Sequence, residues 1–265
     1  MKHIPIFIAT ILMASSAVAQ DWARANLEKS PRHHEWVKIK QGTREVHAFL
    51  AFPEVKEKAT TVVVIHENRG LTDWVRTVAD QLAAAGYIAI APDLLSGSGP
   101  KGGTTSDFPN EDAAMKAIYA LAPDQVTADL NATVDYISKL PAANGKVVVA
   151  GFCWGGAQTF RFPTNNKRVK AGFVFYGTGP ENSSDLARIQ CPLYGFYGGD
   201  DARVNATIPK STDAMKKAGK TYDPVIYEGA GHGFMRAGEE PNAKPANKKA
   251  RDDGWKRWKE LLKGI

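Results

Sequence analysis

The run Val147-Val148-Val149-Ala150-Gly151-Phe152-Cys153-Trp154-Gly155-Gly156 decides how this chain is read. Four small apolar residues in succession fit a strand covered on both faces. Cys153 follows between glycines, and Ala157-Gln158-Thr159-Phe160 can continue as a helix. Strand, sharp turn and helix around one nucleophilic side chain make the G-x-S-x-G nucleophile elbow, with cysteine in the serine position. The glycines have a steric reason: side chains two residues either side of the nucleophile would collide in so tight a turn. The helix N-terminus behind Cys153 favours its thiolate. The plainer alternative is a buried cysteine acting as a small apolar residue at a glycine-rich strand end.

Working outward, strands and helices alternate. His34 to Lys40 and Arg44 to Phe52 read as an antiparallel hairpin around Gln41-Gly42, and Thr60 to Ile65 as a buried strand ending in His66-Glu67-Asn68-Arg69-Gly70. Asp73 to Ala85 has helical spacing, and Tyr87 to Ala91 is the next strand. Ser96 to Phe108 is glycine-rich, without apolar period, and reads as a long loop of the kind that is either functional or disordered. Helices are expected over Glu111 to Leu121 and Asp124 to Leu140, then the elbow, then a strand at Val169 to Tyr176. A strand (Cys191 to Tyr197), a helix (Ile208 to Ala218), a strand (Thr221 to Tyr227) and a last helix (Pro245 to Leu262) complete the pattern. This predicts a single α/β domain over 34–265, with a mostly parallel central sheet and helices on both faces.

In such sheets the chemistry gathers at the carboxyl ends of the strands. Gly199-Asp200-Asp201 follows one strand and Gly231-His232-Gly233-Phe234 follows the next. Nucleophile, acid and histidine in this chain order are the order of the α/β-hydrolase fold. Cys153 is thus the candidate nucleophile, His232 the base and Asp201 the residue that orients it. The backbone amides of Trp154 and Asn68 are the candidate oxyanion donors, placed by topology rather than by side chain.

Together, Gly151-Phe152-Cys153-Trp154-Gly155-Gly156, Glu67, Gly199-Asp200-Asp201 and Gly231-His232-Gly233-Phe234-Met235-Arg236 resemble the dienelactone hydrolase (carboxymethylenebutenolidase) family over roughly 35–262. The resemblance implies hydrolysis of an enol-lactone through a thioester, without a cofactor. It also implies that Glu67 contacts the resting thiol and releases it when substrate binds, and that arginines hold a substrate carboxylate. Arg236 matches one of those arginines. The other falls within Glu111 to Leu121, where the one basic residue is Lys116, a point charge that cannot reproduce a planar bidentate fork. Arg69 and Arg203 lie in nearby loops and are the substitutes; Arg236, Arg69 and Trp154 are the candidate substrate contacts. The expected partner is a small ester or lactone, with or without a carboxylate.

Residues 1–19 read as a cleavable signal peptide: Lys2, an apolar run from Ile4 to Met13, and Ala17-Val18-Ala19 before Gln20. Cleavage after Ala19 predicts a periplasmic or secreted protein with no stable membrane anchor, followed by a polar surface arm over 20–33. Lys2 is the one charged residue of that leader, so its loss takes the formal charge from +6 to +5. Much of the remaining excess lies in the last helix, which is no nucleic-acid footprint. The two cysteines, Cys153 and Cys191, are expected as free thiols. His33-His34-Glu35 is not a metal site on this reading, because neighbours on a strand point to opposite faces, and the elbow lacks the Lys-Ser/Thr of a phosphate loop. Three rivals remain: a broad carboxylesterase, a non-catalytic small-molecule binder on the same fold, and a thiol redox protein. The sequence leaves the oligomeric state open.

Overall fold

The computed structural model describes residues 20–180 and 182–265; the leader read in residues 1–19 lies outside them. The chain begins with α1 (Asp21–Glu28), then the hairpin β1 (His34–Gln41) and β2 (Arg44–Ala51), and β3 (Ala59–Ile65). Next come α2 (Asp73–Ala84), β4 (Ile88–Pro92), α3 (Glu111–Ala120), α4 (Pro123–Ser138), β5 (Ala143–Phe152) and α5 (Trp154–Asn165). The second half runs β6 (Val169–Phe175), β7 (Leu193–Gly198), α6 (Ala202–Asn205), α7 (Ile208–Lys217), β8 (Tyr222–Tyr227), α8 (Phe234–Ala237) and α9 (Pro245–Lys263). The sheet has eight strands in the order β1-β2-β4-β3-β5-β6-β7-β8. β1–β2 and β2–β4 pair antiparallel, and every later pair is parallel. This is the α/β-hydrolase fold.

Strand alternation sorts the central residues into two cores. Val148, Ala150 and Phe152 of β5 face α2 and α9, among Trp74, Val78, Leu82 and Trp258. Val147 and Val149 face α4, α5 and α7, among Val126, Leu130, Phe160 and Met215. A strand in the middle of such a sheet has no solvent face, hence its unbroken apolar run. β8 is an edge strand, which tolerates Pro224 at an internal position.

Two stretches are more ordered than their composition suggests. The expected arm over 20–33 holds the helix α1, whose Ala23 is fully buried in the α2 core. Behind it, Ser30, Arg32 and His34 all hydrogen-bond the Asp80 carboxylate on α2. His33 pairs instead with Glu35, so the adjacent histidines serve different partners. The glycine-rich segment forms two 3₁₀ turns, Pro100–Gly102 and Thr105–Asp107, and Thr105 is tied to Asp93 through both its amide and its hydroxyl. Cys191 lies buried just ahead of β7, and both cysteines are free. Among the described residues no helix is long and apolar enough to cross a membrane.

Candidate active site

β5 ends at Phe152 and α5 begins at Trp154, so the whole reversal falls on Cys153. Its backbone sits at φ 55°, ψ −114°, a strained position for a residue with a side chain. The neighbours show what the turn requires. A Cβ at Gly151 would overlap the Gly155 carbonyl, one at Gly155 would overlap the carbonyls of Ile65 and His66, and one at Gly156 would lie 2.6 Å from the Phe175 oxygen. All of these obstacles are backbone and cannot swing aside.

Two later strand ends bring their side chains to the thiol. Asp201 follows β7 and caps α6, its Oδ1 accepting from the Val204 amide at 3.4 Å. Its Oδ2 stands 2.5 Å from His232 Nδ1. The carboxylate accepts, so Nδ1 donates and Nε2 is left as the acceptor. His232 lies beyond β8 at the start of α8, and its Nε2 is 3.1 Å from Cys153 Sγ. Cys153, His232 and Asp201 therefore form one hydrogen-bonded chain across three strand ends.

The amides of Trp154 and Asn68 both hydrogen-bond toward the Cys153 sulfur. Burial, and then the Glu67 charge, push the thiol up to about 11, against the pull of those amides and of Arg203. Thiolate here needs a proton acceptor beside it, and His232 is in place.

Glu67 is close enough for the thiol to feel its charge, yet its carboxylate is held elsewhere. Oε2 accepts from Arg236 Nε at 3.0 Å, and Oε1 from the Tyr176 hydroxyl at 3.5 Å. Arg236 also donates to Glu240 at 2.9 Å. Burial works against the Arg236 cation, but Glu67, Tyr176 and Glu240 together more than offset it, and its pKa is raised. Arg69 pairs with Glu111 at 3.1 Å. Arg203, two residues past Asp201, has no ion-pair partner among the described residues, and its charge reaches the Cys153 sulfur. The Asn68 side chain donates to the Tyr119 hydroxyl at 3.5 Å, which places α3 beside the loop after β3.

Three participants were not read from the sequence. Tyr176 sits at φ 40° just past β6, fully buried, edge-on to the His232 ring at 5.1 Å. In sequence it is indistinguishable from the core aromatics Phe173 and Phe175 beside it. Glu240 lies four residues after Arg236, and that spacing between opposite charges was the available signal. His66 closes β3 and stacks on the Trp154 ring, 5.6 Å between centroids and 14° between planes.

Comparison with known proteins bears on the family and the fold. Residues 46–265 match the model of the dienelactone hydrolase family. A curated protein of Methylorubrum extorquens named "Putative carboxymethylenebutenolidase" is 34% identical over 241 residues, covering 86% of this chain and 79% of its own. A protein of the same name from Escherichia coli is 30% identical over 213 residues, covering 76% of each. Among solved structures, a "Putative Dienelactone Hydrolase" from Klebsiella pneumoniae superposes with a TM-score of 0.77 at 23% identity, over 88% of this chain and 99% of that one. The dienelactone hydrolase-like promiscuous phosphotriesterase P91, from metagenomic libraries, gives 0.74 at 22% identity, over 88% and 98%. At those identities the structures support the fold alone, while the family match extends from β2 to the last residue. This chain is a hydrolase of the dienelactone hydrolase family.

Proposed function

We propose that the protein hydrolyses an ester or lactone by nucleophilic catalysis through a thioester on Cys153. The observation that carries this is the contact of His232 Nε2 with the thiol at 3.1 Å while Asp201 occupies Nδ1. As the thiol attacks, its proton passes to Nε2 and the sulfur bonds to the substrate carbonyl carbon. The carbonyl oxygen becomes an alkoxide, met by the Asn68 and Trp154 amides. Collapse breaks the carbon–oxygen bond to the leaving group, which takes the proton from His232. Water, deprotonated by His232, then attacks the thioester; the acid leaves and the thiol is restored. Asp201 keeps the imidazole in the required tautomer and stabilises its cation. No cofactor enters these steps.

Glu67 is the proposed thiol switch. Its position on Arg236 and Tyr176 fits the released state, in which the thiol is left to His232. Its charge, felt at the sulfur, disfavours premature thiolate, which protects the thiol from oxidation. For a dienelactone-type substrate a carboxylate must also be held. Arg236 and Arg69 already answer to carboxylates of the chain, so we assign that role to Arg203, which has no ion-pair partner among the described residues and whose charge reaches the Cys153 sulfur. The engagement of Arg236 by both Glu67 and Glu240 favours a second reading, a carboxylesterase of neutral esters.

Two substrates decide between them: a carboxylate-bearing dienelactone and an activated neutral acetyl ester, each with Cys153→Ala as blank. Strong preference for the lactone supports the narrow reading, activity on the neutral ester alone supports the esterase, and silence on both refutes ester hydrolysis of either kind. Export with cleavage after Ala19 is likewise proposed from the leader in the sequence. N-terminal sequencing of the protein from a periplasmic fraction should begin at Gln20; an intact Met1 refutes it.

A further inference from the structure

His66 is fully buried and makes no contact with the thiol, but both of its ring nitrogens have partners whose roles are fixed. Nδ1 lies 2.8 Å from the Glu67 carbonyl, which can only accept. Nε2 lies 3.2 Å from the Leu94 amide, which can only donate. The ring is therefore neutral, with its proton on Nδ1. The carboxylates of Asp93 and Glu67 favour the cation, but burial outweighs them and the pKa is lowered.

The Glu67 carbonyl and the Asn68 N–H are two ends of one peptide unit. In a trans peptide they point in opposite directions, so holding one aims the other. The other end is aimed at the Cys153 sulfur. Donation to the carbonyl also polarises the unit and strengthens its N–H as a donor. The Gly70 amide reaches the same carbonyl at 3.3 Å, a longer bond, and His66 supplies the shorter one. The face of the same ring stacks on Trp154, whose amide is the second donor.

We infer that His66 is a positioning residue for the oxyanion hole: its Nδ1–H fixes the Glu67–Asn68 peptide so that the Asn68 amide faces the reacting centre. The inference rests on the hydrolytic reading above.

The test pairs two variants. In His66→Asn the side-chain amide nitrogen takes the place of Nδ1 and can still serve the Glu67 carbonyl. In His66→Gln the amide takes the place of Nε2 and serves only Leu94. With 4-nitrophenyl acetate, His66→Gln should lose roughly ten- to a hundredfold in kcat with little change in KM, the scale of a weakened oxyanion donor. His66→Asn should recover most of that loss, both variants being folded by circular dichroism. Equal losses, or the larger loss in His66→Asn, would reduce His66 to a structural link and overturn the inference. Affinity for a trifluoromethyl ketone, whose adduct with Cys153 places an alkoxide in the hole, should follow the same order. That readout, and the ¹⁵N shifts of the His66 ring in the wild-type protein, need no turnover. If no ester is hydrolysed, the hydrolytic reading fails, while the ketone and the ring shifts still decide the role of His66. A ring protonated on Nε2 overturns it outright.

Discussion

Replacing Glu67 by Gln removes a charge from beside the thiol while keeping the side chain's size. Burial is the main reason that the Cys153 thiol stands at about 11, and the Glu67 charge is the second. At neutral pH a lone thiol of that pKa is ionised to roughly one part in ten thousand. A like charge close to an ionisable group is worth about 1–3 pKa units. Glu67 is partly neutralised by Arg236 at 3.0 Å, so the lower end applies and the Cys153 midpoint should fall by about one unit. The thiolate fraction then rises about tenfold, while each thiolate becomes roughly threefold less nucleophilic as its pKa falls. The net expectation is alkylation of Cys153 by iodoacetamide about threefold faster at neutral pH. Peptide mass spectrometry follows the rate at each cysteine, and Cys191, buried and also at about 11, is the internal control. An unchanged or slower rate at Cys153, with its midpoint in place, would show that the Glu67 charge does not govern the thiol.

Asp201→Asn removes the acceptor that fixes the His232 tautomer, and kcat on an activated ester should fall about 10³–10⁴-fold with the melting curve nearly unchanged; a loss below about tenfold refutes the role given to Asp201. Gly155→Ala sets a Cβ against the Ile65 and His66 carbonyls and should cost about 2–3 kcal/mol in urea unfolding, whereas a neutral substitution would mean that the elbow can relax. Asp80→Asn should cost about 2–3 kcal/mol at neutral pH through its lost bonds to Arg32, Ser30 and His34. Burial raises the Asp80 pKa, but those three partners outweigh it and leave it lowered. The stability that Asp80 contributes is thus present above the ordinary carboxylate range and lost as pH falls through the lowered value. The gap between wild type and Asp80→Asn should accordingly close in acid, and a gap independent of pH would contradict the ion-pair account.

What the sequence made legible was what a turn or a period imposes. The elbow is a steric problem with few solutions, so Gly151, Cys153 and Gly155 announced themselves, and the strand ends at Asp201 and His232 followed from chain order. The two core layers followed from the unbroken apolar run of β5. Contacts between distant loops carried no such mark. That Arg236 answers to Glu67 rather than standing free depends on how α8 lies against the end of β3, which no spacing encodes. Tyr176 differs from Phe175 only by a hydroxyl and a left-handed backbone, and neither feature has a local signature. The helix α1 was missed because its apolar contact is with α2, far along the chain, and its eight residues divide evenly between polar and apolar.

The central claim is a thioester on Cys153, and trapping it is the most direct measurement. The protein is mixed with an activated ester, quenched in acid during the first turnovers, and digested for mass spectrometry. The account predicts one acyl group on the Cys153 peptide, removable by hydroxylamine, and no turnover by Cys153→Ala. Acylation at another residue, or hydrolysis that survives in Cys153→Ala, would contradict it.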